Sequence, residues 1–247
     1  MRVGLFIPCY IDQYFPRVAI ATLQLLEKMG VKIVYPKNQT CCGQPMGNSG
    51  FEHLATGCSE LFIEKFANFD YIVAPSGSCV LHIKDHLISS VERAPALEIS
   101  NKIYELTAFL TDVLNLKELN ASFPHKVGFH QSCHGQRGLH LSQMNELLAS
   151  HFSKPHHLLN MVKGIDIVAL DRTDEYCSFG GTFCITEETV SIKMRKDRFL
   201  DHLEHKVEFI TGVDLSCLMH LEGILKRQSS TVKIIHIAEI LNSQKKY

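Results

Sequence analysis

The chain is written twice, and that duplication constrains its fold more than any other feature. Ser78-Cys79-Val80-Leu81-His82 recurs as Ser216-Cys217-Leu218-Met219-His220, and the segments leading to each copy follow the same order. In the first copy an apolar, β-rich run at 2–8 leads into Cys9. A helical pattern of Val18, Ala19, Ala21, Leu23, Leu25, Leu26 and Met29 follows and stops at Gly30. A strand at 31–36, the turn Cys41-Cys42-Gly43, a helix over 51–69 and a strand at 71–75 lead to Cys79. In the second copy a strand at 126–130 precedes Cys133, and a helix is expected over roughly 141–152. A strand at 165–170, the turn at 177–181, a helix from about 187 to 205 and a strand at 207–211 lead to Asp214-Leu215-Ser216-Cys217. The copies also close alike, with 96–100 and 103–114 set against 232–236 and 237–241.

Strands alternating with helices at this spacing call for parallel pairing through right-handed helical crossovers. The expected fold is therefore α/β: two pseudo-twofold-related Rossmann-like halves, each a mainly parallel sheet with flanking helices. The join falls in 116–125, where Asn120, Ser122 and Pro124 read as a connector, giving halves 1–118 and 119–247. A chain of 247 residues buries enough surface to need no staples.

Nine cysteines therefore call for another explanation. A disulfide between the neighbours Cys41 and Cys42 needs a distorted or cis peptide, and a cis bond before a residue other than proline costs roughly 3 kcal/mol. The separations of Cys9 from Cys41 and of Cys42 from Cys79 each match one crossover, so these thiols fall at strand ends, where open α/β sheets place their ligands. Neighbouring strands lie about 4.8 Å apart, so three adjacent ends can gather Cys9, Cys41, Cys42 and Cys79. Gly43 permits a positive φ beneath such a site, and Pro45 fixes the exit. Four thiolates suit zinc or an iron-sulfur cluster, and spacing leaves both open.

The second half offers Cys133, Cys177 and Cys217, with Tyr176 in the place of Cys41 and Ser178 in the place of Gly43. Either the missing thiolate leaves a coordination position open or the site has decayed. Cys58 reads as a buried hydrophobe in a helix, and Cys184 is near enough in sequence to replace the missing ligand. His82 and His220 follow a cysteine by three residues, which places them on its helix face either to ligate metal, to hydrogen-bond sulfur or merely to pack, with hydrogen bonding to sulfur the favoured reading. His134 and Arg137 either offset thiolate charge, bind a substrate carboxylate, or form a solvated helix start. His156 and His157 receive no role.

A net charge of -1 carries no nucleic-acid footprint. The opening apolar run is broken by Pro8 and Asp12, too early for a secretory core or a membrane span. The expected location is the cytoplasm, where cysteines in this number argue for metal or redox chemistry. Neither a closely spaced ferredoxin-type Cys-x-x-Cys-x-x-Cys run nor a Gly-x-Gly-x-x-Gly fingerprint is present.

Pro8-Cys9, Thr40 to Pro45 (TCCGQP), Pro75 to Cys79 (PSGSC), Ser132 to His134 (SCH), Cys177 to Phe183 (CSFGGTF) and Ser216 to His220 (SCLMH) occur in order over nearly the whole chain. In these the sequence resembles the cysteine-rich CCG-domain family of iron-sulfur proteins, and within it the LutA-type subunits of bacterial lactate-utilization complexes. The resemblance implies an iron-sulfur electron-transfer or oxidoreductase subunit that oxidises L-lactate to pyruvate together with two partners, a ferredoxin-type iron-sulfur subunit and a third subunit. It implies a 4Fe-4S type of cluster, with Cys9, Cys41, Cys42, Cys79, Cys133, Cys177 and Cys217 as ligands. Related glycolate oxidase and heterodisulfide reductase subunits share the motif, and in the latter each copy ends in Cys-x-x-Cys. Ser76 and Asp214 stand at those first positions here, which removes five-cysteine ligation. The usual Cys-Cys-Gly-Phe-Gly-Gly of the second motif is Tyr176-Cys-Ser-Phe-Gly-Gly181. Two alternative readings remain at this stage: a zinc-stabilised binding or scaffold protein, and a heterodisulfide-reductase-like thiol/disulfide reductase acting at the three-cysteine site.

Overall fold

Short runs of branched and aromatic residues pair as strands because such side chains suit a pleated surface covered on both faces. In the computed structural model, which describes residues 1–87, 93–144, 146–147 and 150–244, they form two four-stranded parallel sheets. The first contains β1 (Arg2–Leu5), β2 (Lys32–Val34), β3 (Tyr71–Ala74) and β4 (Ile103–Glu105) in the order β2-β1-β3-β4. The second contains β5 (Lys126–Phe129), β6 (Asp166–Val168), β7 (Phe209–Gly212) and β8 (Lys233–His236) in the order β6-β5-β7-β8. The expected pair of Rossmann-like halves is therefore the observed fold.

Even the register repeats. Val3 lies opposite Ile33 and Tyr71, and Val127 opposite Ile167 and Phe209. Just past the central strands, the Phe6 N–H donates to Val73 (2.9 Å) and the His130 N–H to Thr211 (2.7 Å), so His130 occupies the place of Phe6. Two residues earlier each copy has a glycine, Gly4 or Gly128. A Cβ on Gly4 would lie 3.0 Å from Phe66, and one on Gly128 would collide with the His202 ring. Phe6 and Phe66 of the first half's aromatic cluster are thus matched in the second by the buried imidazoles of His130 and His202.

The crossovers of the first half are α1 (Cys9–Tyr14), α2 (Pro16–Lys28), α3 (Gln44–Asn48), α4 (Thr56–Phe66), α5 (Gly77–His86), α6 (Arg93–Lys102) and the short α7 (Leu106–Ala108), which a π turn extends to Val113. Those of the second are α8 (Lys154–Leu159), α9 (Phe183–Thr186), α10 (Glu188–Glu204), α11 (Leu215–Arg227) and α12 (Ile237–Leu241). Pro16 opens α2, where its missing N–H costs nothing, and Gly30 ends the turn beyond it at φ +73°. Val18, Leu25 and Leu26 of α2 are fully buried in a core that continues through Val127, Leu218, Leu221 and Ile240 of the other half. The two halves share this core, and Lys28 also donates to Asn242 at 2.6 Å.

Three expectations are corrected. No helix forms over the described residues of 141–152. Instead Gln143 donates to Phe152 and Lys154 to Leu141, both at 2.8 Å, around an antiparallel bridge from Ser142 to Ser153. Ser153 caps α8 by accepting from the His156 N–H, and Pro155 in its first turn fixes the start there, so the helix begins later than its apolar periodicity suggested. Residues 145, 148 and 149 of that expected helix lie outside the described residues. Residues 96–100, set against strand 232–236, belong to helix α6, with Ala96 and Ile99 turned inward at helical spacing. The true counterpart of β8 is β4, because Ile103 pairs with Ile72 as Ile234 pairs with Ile210. Finally, the strand expected at 2–8 stops at Leu5, and Pro8 caps α1 instead.

Candidate metal centre

In the first half the chain leaves three adjacent strands at one edge and delivers four sulfurs there. Cys9 opens α1 after β1, Cys41 and Cys42 follow β2, and Cys79 lies in the first turn of α5 after β3. Cys9 Sγ stands 3.7 Å from Cys41 Sγ, and the Gly43 N–H approaches Cys41 Sγ at 3.5 Å. Gly43 has φ +91°, and a Cβ there would sit 2.9 Å from Ala55 Cβ, so only glycine fits. Ser76 caps α5 by accepting from the Cys79 N–H at 3.4 Å. Hydrogen bonds from the Cys42 and Cys9 thiols hold Cys41 far below the usual thiol range, while the same bonds and burial push Cys9 and Cys42 up. Sharing of protons among closely spaced sulfurs marks a donor set that suits a metal ion or iron-sulfur cluster, which takes thiolates.

The second half is built differently. Tyr176, in the place of Cys41, turns its hydroxyl away to Gln136 Oε1 (3.1 Å) and receives the Arg137 Nε–H (2.6 Å). Ser178 takes the positive φ of Gly43, at +56°, and its hydroxyl donates to the Ser191 carbonyl at 2.8 Å. Cys177 and Cys217 are buried, and a ring nitrogen of His130 and the two sulfurs all lie within 4.8 Å of one another. The Cys217 thiol, and then His130, hold Cys177 well below the usual thiol range, whereas that same thiol contact and burial raise Cys217. Burial pushes Cys133 to about 11. Sequence reasoning missed His130. Its one signal was a histidine closing the strand expected at 126–130, three residues before Cys133.

Both cysteine sets line a single cavity of about 640 Å³ between the halves, together with Tyr10, Gln44, His134, Phe179 and Asp214. Asp214 joins the two sides. Its Oδ2 accepts the Ser78 N–H at 2.7 Å, and its Oδ1 accepts the Ser78 and Ser216 hydroxyls, both at 3.0 Å. Burial raises this carboxyl above its usual range, against the pull of His134 and these hydrogen bonds. Gly77 donates to the Val213 carbonyl at 3.2 Å, and Gln44 meets His134 at 3.3 Å.

Other candidates fall elsewhere. The His82 ring packs under Gly43 and Gly47 and stacks on His86, rather than bonding a sulfur. His220 meets Ser191 and Arg195, both at 3.4 Å, and burial lowers it to about 4. Besides His130, a histidine placed against sulfur is His134, whose Nδ1 lies 3.5 Å from Cys133 Sγ. Arg137 is exposed, paired with Glu146 at 2.5 Å, and is not among the cavity residues, so it anchors no carboxylate there. Cys58 is half-buried rather than buried, and Cys184 donates to the Gly181 carbonyl at 3.1 Å instead of completing the second set.

Among the described residues no helix is long and apolar enough to cross a membrane. The family model for the cysteine-rich domain called CCG matches residues 3–84 and 127–222, one match per half. Lactate utilization protein A of Oceanobacillus iheyensis is 39% identical over 99% of this chain and 98% of that protein. Its counterpart in Geobacillus sp. is 37% identical over 99% of this chain and all of that protein, and lactate utilization protein A 1 of Bacillus mycoides is 36% identical over the whole chain and 98% of that protein. Among solved structures, a hypothetical protein from Helicobacter pylori superimposes with a TM-score of 0.62 at 12% identity over 97% of this chain, which spans about half (48%) of that protein. That likeness concerns fold alone.

Proposed function

Because the chain belongs to the cysteine-rich CCG-domain family, alongside the lactate utilization A proteins it matches end to end, we propose that it is the iron-sulfur, electron-transferring subunit of a complex that oxidises L-lactate to pyruvate. In this reading residues 1–118 and 119–247 are the two cysteine-rich units. Cys9, Cys41, Cys42 and Cys79 hold an iron-sulfur cluster, probed most simply as 4Fe-4S. The observation that carries the reading is the gathering of these four sulfurs at the ends of three adjacent parallel strands, facing the cavity between the halves.

When bound, the cluster supplies one-electron storage. The chain's own residues provide the rest. The Gly43 N–H directed at Cys41 Sγ favours the thiolate, as donors to sulfur do in tuning cluster potential. Burial of Cys42 and Cys79 keeps water from that side of the site. With no nucleotide fingerprint in the sequence, electrons pass to and from other subunits, for which a ferredoxin-type iron-sulfur subunit and a third subunit are the proposed partners.

The test is anaerobic purification with iron and acid-labile sulfide analysis, on the native chain and on Cys42→Ser. The native chain is expected to be brown and to contain both elements, and Cys42→Ser to lose most of each. A colourless protein after anaerobic reconstitution, with zinc at one per chain and no sulfide, would overturn the reading in favour of a zinc scaffold.

A further inference from the structure

We propose that the second half holds a metal ion of its own, most simply zinc, ligated by a ring nitrogen of His130 and the thiolates of Cys177 and Cys217, with its fourth position facing the cavity. Three observations carry this. The three donor atoms lie within 4.8 Å of one another, and tetrahedral donors on bonds of about 2.0–2.3 Å stand about 3.3–3.8 Å apart, so small side-chain shifts close the set around one ion. His130 is only 1% exposed, and its ring meets the Cys177 thiol without a well-formed hydrogen bond to either nitrogen among the described residues. A buried imidazole that meets a thiol without a well-formed hydrogen bond is poorly satisfied, and an ion shared with that sulfur would satisfy it.

The third observation is the comparison of the halves. Position 130 is equivalent to Phe6, which packs edge-on against Phe62 and Phe66 in an apolar cluster. A phenylalanine therefore fits this architecture. The second half instead carries imidazole, in the copy that has tyrosine where the first has Cys41. Nitrogen has replaced sulfur from a different strand end, and a mixed nitrogen and sulfur set belongs to a mononuclear ion, whereas the all-sulfur set of the first half is the one suited to a cluster. Arg198, fully buried, holds the framework. Arg198 pairs with Asp201 at 2.9 Å and donates to the Phe129 carbonyl at 3.2 Å, and Asp201 accepts the Asp171 and Arg172 N–H groups of the segment leading to Cys177.

The inference stands apart from the lactate reading, since it concerns the other cysteine set. Its test uses the full chain with Cys41→Ser and Cys42→Ser, so that the second half alone binds metal. One Co²⁺ per chain with thiolate-to-cobalt charge-transfer absorption is expected. X-ray absorption of the zinc-loaded form of this same protein is expected to show imidazole nitrogen beside sulfur. Adding His130→Phe, the residue of the first half, is expected to weaken zinc binding by more than about 100-fold, beyond the loss from removing an outer-shell partner. His202→Phe, the equivalent of Phe66, removes a neighbouring buried imidazole and is expected to leave zinc affinity unchanged. Absence of bound metal, a sulfur-only spectrum, unchanged affinity in His130→Phe, or an equal loss in His202→Phe would each overturn the assignment.

Discussion

Glu105 gives the sharpest stability prediction. It ends β4, caps α7, and is only 1% exposed. Oε2 accepts the Thr107 and Ala108 N–H groups at 2.7 and 3.2 Å, while Oε1 has no partner among the described residues. Burial raises its carboxyl from 4.5 to about 7, and the hydrogen bonds only partly resist that rise. The folded state therefore holds this proton more tightly than the unfolded chain. The resulting stability is fully present below about pH 4.5 and is lost as pH rises through about 7. At about 1.4 kcal/mol per pH unit, the loss amounts to about 3 kcal/mol. Glu105→Gln retains an acceptor for the two N–H groups and never ionises. Urea unfolding of both proteins at pH 5 and pH 8, anaerobically and in the same metal state, isolates the effect, because thiols and buried histidines cancel in the difference. The stability gap is expected to move by about 2.5 kcal/mol in favour of the variant between the two pH values, because part of the loss has already occurred at pH 5. A gap that is constant with pH, or that moves toward the wild type, would refute the reasoning.

Two further substitutions test the site. Gly43→Ala places a Cβ at 2.9 Å from Ala55 in a backbone with φ +91°, and is expected to lose about 1–3 kcal/mol together with the metal of the first half, read by thermal unfolding and metal analysis. Asp214→Ala removes the acceptor of the Ser78 N–H and hydroxyl from the other half and of the Ser216 hydroxyl. It is expected to cost about 2–4 kcal/mol in urea, and an unchanged midpoint would deny Asp214 its bridging role.

Repetition and alternation in the sequence determine a great deal here. Local strand and helix preferences are set by neighbouring residues, so the duplicated βαβ order is readable along the chain, and with it the placement of Cys9, Cys41, Cys42 and Cys79 at the ends of strands that prove adjacent. The need for glycine at position 43 is equally local. The helix expected over 141–152 failed because apolar spacing cannot reveal that Ser142 finds its partner in Ser153 and that Pro155 sets the start of α8. Only the tertiary structure decided that His130 meets Cys177 and Cys217 and that both cysteine sets share one cavity. Periodicity says which face of an element turns inward. Which distant group it meets there depends on strand order and on how two halves dock, and those follow from the packing of the whole core.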